Sequence, residues 1–189
     1  MTLSKLLLLG MAALPLASLA ACDRPKPRDQ SQVSGPISGA PAPAAPAAPA
    51  GPKVTISTEA PPPPASWATA LIGQPLRPTF PGSGACVGNT DVVDTRYKGG
   101  PGGAKIIGWG WDPAAKTAVQ HVLLVDRDFK IVGAGETGLA RPDVTAARPD
   151  ITSRTTGWQA TTTKTAGGLD SYGVLADGKT TCKLGHIEL

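Results

Sequence analysis

Residues 24–64 lack the means to build a core. Residues 40–52 are almost wholly alanine and proline, and residues 61–64 are an unbroken proline run. Such a stretch carries too little apolar surface to offset the entropy of ordering it. Its prolines favour the extended polyproline II backbone, at about 3.1 Å per residue. Roughly 40 such residues reach about 100 Å when extended and much less when coiled. The stretch therefore reads as a spacer, with a proline-rich ligand for a partner domain as the alternative use. It divides the chain into residues 1–21, a tether over residues 22–64, and a folding part over residues 65–189.

The first part has the build of an export signal. Lys5 supplies a positive charge, and an apolar stretch over residues 6–16 follows, broken by Gly10 and Pro15. It is too short and too broken for a membrane span of roughly 20 apolar residues. Small residues then lead to Cys22. Leu19-Ala20-Ala21-Cys22 resembles the lipobox of bacterial lipoproteins. The resemblance implies a diacylglyceryl group on the Cys22 thiol, cleavage between Ala21 and Cys22, and a further acyl chain such as palmitate on the new amino terminus. Two or three chains anchor a protein firmly where one does so only marginally. The alternative is an ordinary secretory signal cut near Ala21, leaving a free thiol. Asp23 resembles the inner-membrane retention signal of Gram-negative lipoproteins, so the expected location is the periplasmic side of the inner membrane rather than the outer membrane.

The cysteine count agrees with export. Three cysteines normally leave one thiol over, and lipidation of Cys22 accounts for it. Cys86 and Cys182 then read as a disulfide in an oxidising compartment, closing a loop of roughly 100 residues. From residue 65 onward there are 13 Lys and Arg against 11 Asp and Glu, spread without a stripe. That distribution argues against a nucleic-acid partner.

The folding part reads as short strands separated by Gly, Asp and Pro. Expected strands are 85–95, 104–111, 118–125, 129–134, 157–163, 171–176 and 180–184. Residues 119–125 are apolar on both faces, which predicts a central strand. Asp126-Arg127-Asp128 predicts a hairpin. Asp177-Gly178 predicts a second hairpin with a type I′ turn, leading into the strand of Cys182. Ser66 is expected to cap a short helix in which Trp67 and Leu71 share a face. Residues 136–154 break the rhythm. Within them Pro142 is placed to open a short helix with Asp143 in its first turn, and Pro149 to stop it. The expectation is an all-β, Ig-like antiparallel β-sandwich with one disulfide, preceded by a signal peptide and a disordered tether.

Cys86-Val87-Gly88 with Asp91, Gly108-Trp109-Gly110-Trp111-Asp112, residues 138–144, Gly157-Trp158 and Cys182 together resemble a small extracytoplasmic β-sandwich domain. Bacteria append that domain to membrane glycosyltransferases and acyltransferases of surface-polysaccharide assembly. The likeness spans residues 85–185 and implies the sandwich fold, but no catalytic residues. Here a lipid anchor takes the place of the polytopic host.

Trp109 and Trp111 share a face of one strand, and with Trp158 they are expected mainly to pack a core. The sharper reading makes Trp109, Trp111 and Trp158 an aromatic platform for sugar rings, with Arg141 and Asp143 bonding hydroxyls. In the plainer reading Arg141 and Asp143 pin the long loop. His121 and His186 have no companion at metal-ligand spacing. The Gly-rich run 99–103 lacks the Lys-Ser/Thr of a phosphate loop and reads as a hairpin loop. Nothing brings Asp91, Asp94 and Asp112 together as a glycosidase pair. Cys86 and Cys182 lack the Cys-x-x-Cys context of a redox pair. The sequence thus leads to a non-catalytic interaction module without cofactor or metal. Its expected partners are the bilayer through Cys22 and an envelope protein or surface glycan.

Overall fold

The computed structural model of the chain describes residues 53–189. The expected cleavage at Ala21, lipidation of Cys22, sorting through Asp23 and most of the tether lie outside the described residues. The strands are β1 (Thr55–Ser57), β2 (Gly82–Ser83), β3 (Val87–Tyr97), β4 (Gly103–Asp112), β5 (Thr117–Ala118), β6 (His121–Val125), β7 (Ile131–Leu139), β8 (Gly157–Thr162), β9 (Gly168–Val174) and β10 (Thr180–Glu188). A 3₁₀ helix (Ser66–Leu71), a single kinked turn α1 (Leu76–Thr79) and a short helix α2 (Pro142–Ala147) complete the elements.

All strands join one sheet in the order β1-β3-β4-β8-β7-β6-β9-β10-β2, with β5 added on β4. The pairs are antiparallel except β1 on β3 and β2 on β10, at the two ends. The fold is all-β, as the sequence predicts. The sheet turns back on itself so that β3 faces β10: a Cβ added at Gly185 would lie 2.8 Å from the Thr90 amide nitrogen. The Thr90 and Ser171 hydroxyls meet at 2.5 Å across the same gap. The predicted Cys86–Cys182 disulfide closes this seam, with Cα atoms 5.8 Å apart.

The two-residue period of a strand decides which side chains fill the interior. Ile106 of β4, Val122 and Leu124 of β6, Trp158 and Ala160 of β8, Leu169 of β9 and Leu184 of β10 form the inner core. Gly108 makes room for it, since a Cβ there would fall onto the Trp158 ring. The alternate residues Leu123 and Val125 of β6 face outward. There they pack with Ile131 and Val174 under Ala68, Leu76 and Phe80 of the helical segment. Both faces of β6 are therefore covered, and it lies between β7 and β9, the central place its sequence predicts.

The structure departs from the expected elements at several places; strand β9 begins already at Gly168 and β10 runs on to Glu188. Residues 118–125 are not one strand. The Val119 amide bonds to Gly110 O and the Gln120 amide to Val174 O, so the chain passes from β4 to β9 between β5 and β6. Strand β7 begins later than residue 129 and runs on to Leu139, because residues 135–139 continue the ladder with β8. The Asp177-Gly178 hairpin joins β9 to β10, but only Gly178 has positive φ (+66°), so the turn is not type I′. The Asp177 carboxylate instead holds the turn by accepting from the Lys179 and Thr180 amides. Ser66 lies inside the 3₁₀ helix rather than capping it; Ala65 precedes the first turn and no side chain caps it. Ordered structure also starts ahead of residue 65. Strand β1 pairs with β3, and Pro62 and Pro64 share a crevice with Ile72, Val132 and Thr161. Proline has no amide hydrogen for a ladder, so this run lies on a sheet face instead of extending an edge.

Candidate functional site

The long loop after β7 lies over the outer face of β4. Pro142 occupies the first turn of α2 beside Asp143, as predicted. Val144 and Ile151 cover Trp111, which is 2% exposed, and Trp109 packs half-buried against them. The loop is fastened at Arg141. Its amide bonds to Arg154 O at 2.6 Å. Its guanidinium donates through Nη1 to Asp91 at 2.5 Å, and through Nε and Nη2 to Asp143 at 2.9 and 2.7 Å.

The strand register places this ion pair beside Trp109. Asn89, Trp109, Gly157 and Leu139 stand opposite one another on β3, β4, β8 and β7. Arg141 lies across Gly157, because a Cβ there would come 2.8 Å from Arg141 Cγ. The Arg141 hydrogen bonds hold the Asp143 carboxyl below the usual carboxylate range. Asp143, and then Asp91, in turn raise the Arg141 pKa. The arrangement is a rim of one guanidinium held between two carboxylates beside a half-buried indole. It can offer hydrogen bonds to a ligand at the surface.

Of the residues the sequence grouped, the structure brings together Trp109, Arg141 and Asp143, and adds Asp91. Trp111 lies on the same face but is covered. Trp158 does not join them: it is 0% exposed in the inner core, on the opposite face of the sheet. The three tryptophans are thus no common platform, because cross-strand register separates Trp158 from the face that Trp109 and Trp111 share. Asp94 pairs with Lys105 at 2.8 Å. Asp112 caps the turn after β4 by accepting from Ala114 N. Residues 98–102 connect β3 to β4, the hairpin role the glycines of 99–103 predict, with Gly103 itself the first residue of β4.

Three groupings depend on distant pairings that the sequence pattern does not reveal. Trp67 stacks on His121 with ring centres 4.2 Å apart, and both bond to Glu136. His186 bridges Asp170 at 2.7 Å and Glu188 at 3.1 Å, with Lys183 also on Asp170. Those hydrogen bonds, first from Asp170 and then from Glu188, raise the His186 pKa above its ordinary 6.5. Third, Leu76, Arg77, Phe129 and Tyr172 line an open cleft of about 300 Å³. Among the described residues, no group of three His, Cys, Asp or Glu side chains is placed to hold a metal. Among them, too, no helix is long and apolar enough to cross a membrane. No family model, curated protein or solved structure matches the chain.

Proposed function

We propose that the chain is a lipid-anchored lipoprotein of the cell envelope that presents a non-catalytic β-domain as an interaction module on a Pro/Ala-rich tether. Cys22 carries the lipid, and Asp23 favours the inner membrane. The observation that carries this reading is the Cys86–Cys182 bond. It joins Cys86, just ahead of β3, to Cys182 of β10 across the seam of the fold, and such structural disulfides belong to oxidising compartments. This agrees with an export signal ending in a lipobox. The partner favoured is another envelope protein. Photocrosslinking in living cells from position 139, which is 40% exposed beside Arg141, tests it: a discrete protein adduct is expected, and only a polysaccharide smear would overturn it.

One observation favours a second reading, a glycan-binding module linked to surface-polysaccharide assembly. Trp109 keeps part of its ring accessible beside the polar groups of Asn89, Asp91 and Arg141. On that reading a surface oligosaccharide quenches tryptophan fluorescence in the wild type and not in Trp109→Leu.

A further inference from the structure

The hairpin between β6 and β7 carries a residue its backbone does not favour. The Phe129 amide bonds to Asp126 O and the Asp126 amide to Lys130 O. This is a type I turn followed by a left-handed residue, a position glycine normally fills. Phe129 stands there at φ +56°. In the β9–β10 hairpin the corresponding position, three residues after Leu175, is Gly178. A bulky side chain in this region is strained. Phe129 is also 61% exposed, the most exposed large apolar side chain among the described residues. The backbone accounts for the conformation, since Phe129 O accepts the Leu76 amide at 2.8 Å. It does not account for the phenyl ring, which glycine would omit at less strain.

Phe129 lines the 300 Å³ cleft together with Leu76, Arg77 and Tyr172. The cleft has one charged lining residue, Arg77. Its Nη1 donates to the carbonyls of Phe80 and Pro81, and among the described residues no carboxylate pairs with it. In the chain Phe129 stands between exposed Asp128 and exposed Lys130, neither of which lines the cleft. Asp170, the nearest acid on β9, is already bonded to Lys183 and His186.

We propose that the Phe129–Tyr172 cleft is a docking site for a protein partner that inserts an apolar side chain flanked by a carboxylate, the carboxylate meeting Arg77. The apolar walls exclude water around the inserted group, and the guanidinium, bonded to carbonyls but to no carboxylate among the described residues, supplies charge complementarity. Strain retained at an exposed aromatic is what a binding residue shows and a packing residue does not. The proposal rests on the interaction-module reading and names its contact surface. The two fail separately: adducts from position 139 bear on that reading, and the titration below on the cleft.

The test is an amide NMR titration of the full-length chain carrying Cys22→Ser, with N-acetylphenylalanine as the probe and its uncharged amide as the control. Shifts confined to Leu76, Arg77, Phe129, Tyr172 and their neighbours are expected. The acid should bind roughly two- to fivefold more tightly than the amide, the advantage of one exposed ion pair. Arg77→Gln should erase that preference. Phe129→Gly should lose the shifts while its melting temperature stays level or rises. No shift at millimolar probe, or equal binding of acid and amide, would overturn the proposal. Shifts at the cleft with a neutral trisaccharide and none with the probe would replace it with a glycan site. Concentration-dependent cleft shifts without probe would replace it with self-association.

Discussion

Removing the disulfide should cost this domain a large share of its stability. Cys86 and Cys182 are 96 residues apart, and the loop between them contains β3 to β9. The chain-entropy relation for a loop of that length gives about 4.7 kcal/mol at 25 °C, within an observed range of roughly 2–5 kcal/mol. A folded domain has only about 5–15 kcal/mol in total. With an unfolding entropy near 2.1 cal/mol/K per residue, the described part unfolds with about 0.29 kcal/mol/K. The double variant Cys86→Ala/Cys182→Ala should therefore melt about 16 °C lower, or about 7 °C lower at the weak end of that range. Circular dichroism melts with and without dithiothreitol check this: reductant should bring the wild type down to the double variant and leave the double variant unmoved. A fall of less than about 3 °C would refute the claim that the bond restrains the unfolded chain across the seam, as would indifference of the wild type to reductant.

Other residues offer independent checks. Arg141→Ala should free the loop over β4 and cost about 1–3 kcal/mol by leaving the Asp91 and Asp143 carboxylates without their partner; hydrogen exchange around Val144 and Ile151 should rise with it. Asp143 has a lowered pKa, so its stabilising effect is present above the usual carboxylate range and is lost as pH falls through its folded value; Arg141→Ala should remove that acid-side dependence. His186 has a raised pKa, so its contribution is complete below its ordinary 6.5 and disappears as pH rises through the folded value. Its proton NMR midpoint should lie above 6.5, and Asp170→Asn should lower it. Gly108→Ala should force a methyl group onto the Trp158 ring and destabilise by about 1–3 kcal/mol, with loss of the near-ultraviolet signal of that indole.

What the sequence makes legible is what its period and punctuation encode. The two-faced apolar run at residues 119–125 announces a central strand, because only a strand covered on both sides tolerates it, although the strand itself begins only at His121. Asp177-Gly178 announces a hairpin, although its turn type is decided by hydrogen bonds of the Asp177 carboxylate. Pro142 and Asp143 mark α2 by their chemistry at a helix start. The candidate site is legible only where neighbours in sequence are neighbours in space, as with Arg141 and Asp143. Asp91 joins them from 50 residues away, and Trp158 leaves the group because strand register, which composition does not reveal, puts it on the other face. Phe129 is a different case: Asp126-Arg127-Asp128 marks the hairpin, but only the backbone shows that its phenylalanine occupies a glycine's position.

The account depends most on the lipid at Cys22. Intact-mass analysis of the protein isolated from the membrane fraction of its native cells tests this directly. The account predicts a polypeptide beginning at Cys22 with a diacylglyceryl group attached, and a soluble periplasmic product when Cys22 is replaced by serine. A membrane-bound Cys22→Ser protein, or a native product with a free Cys22 thiol, would contradict it.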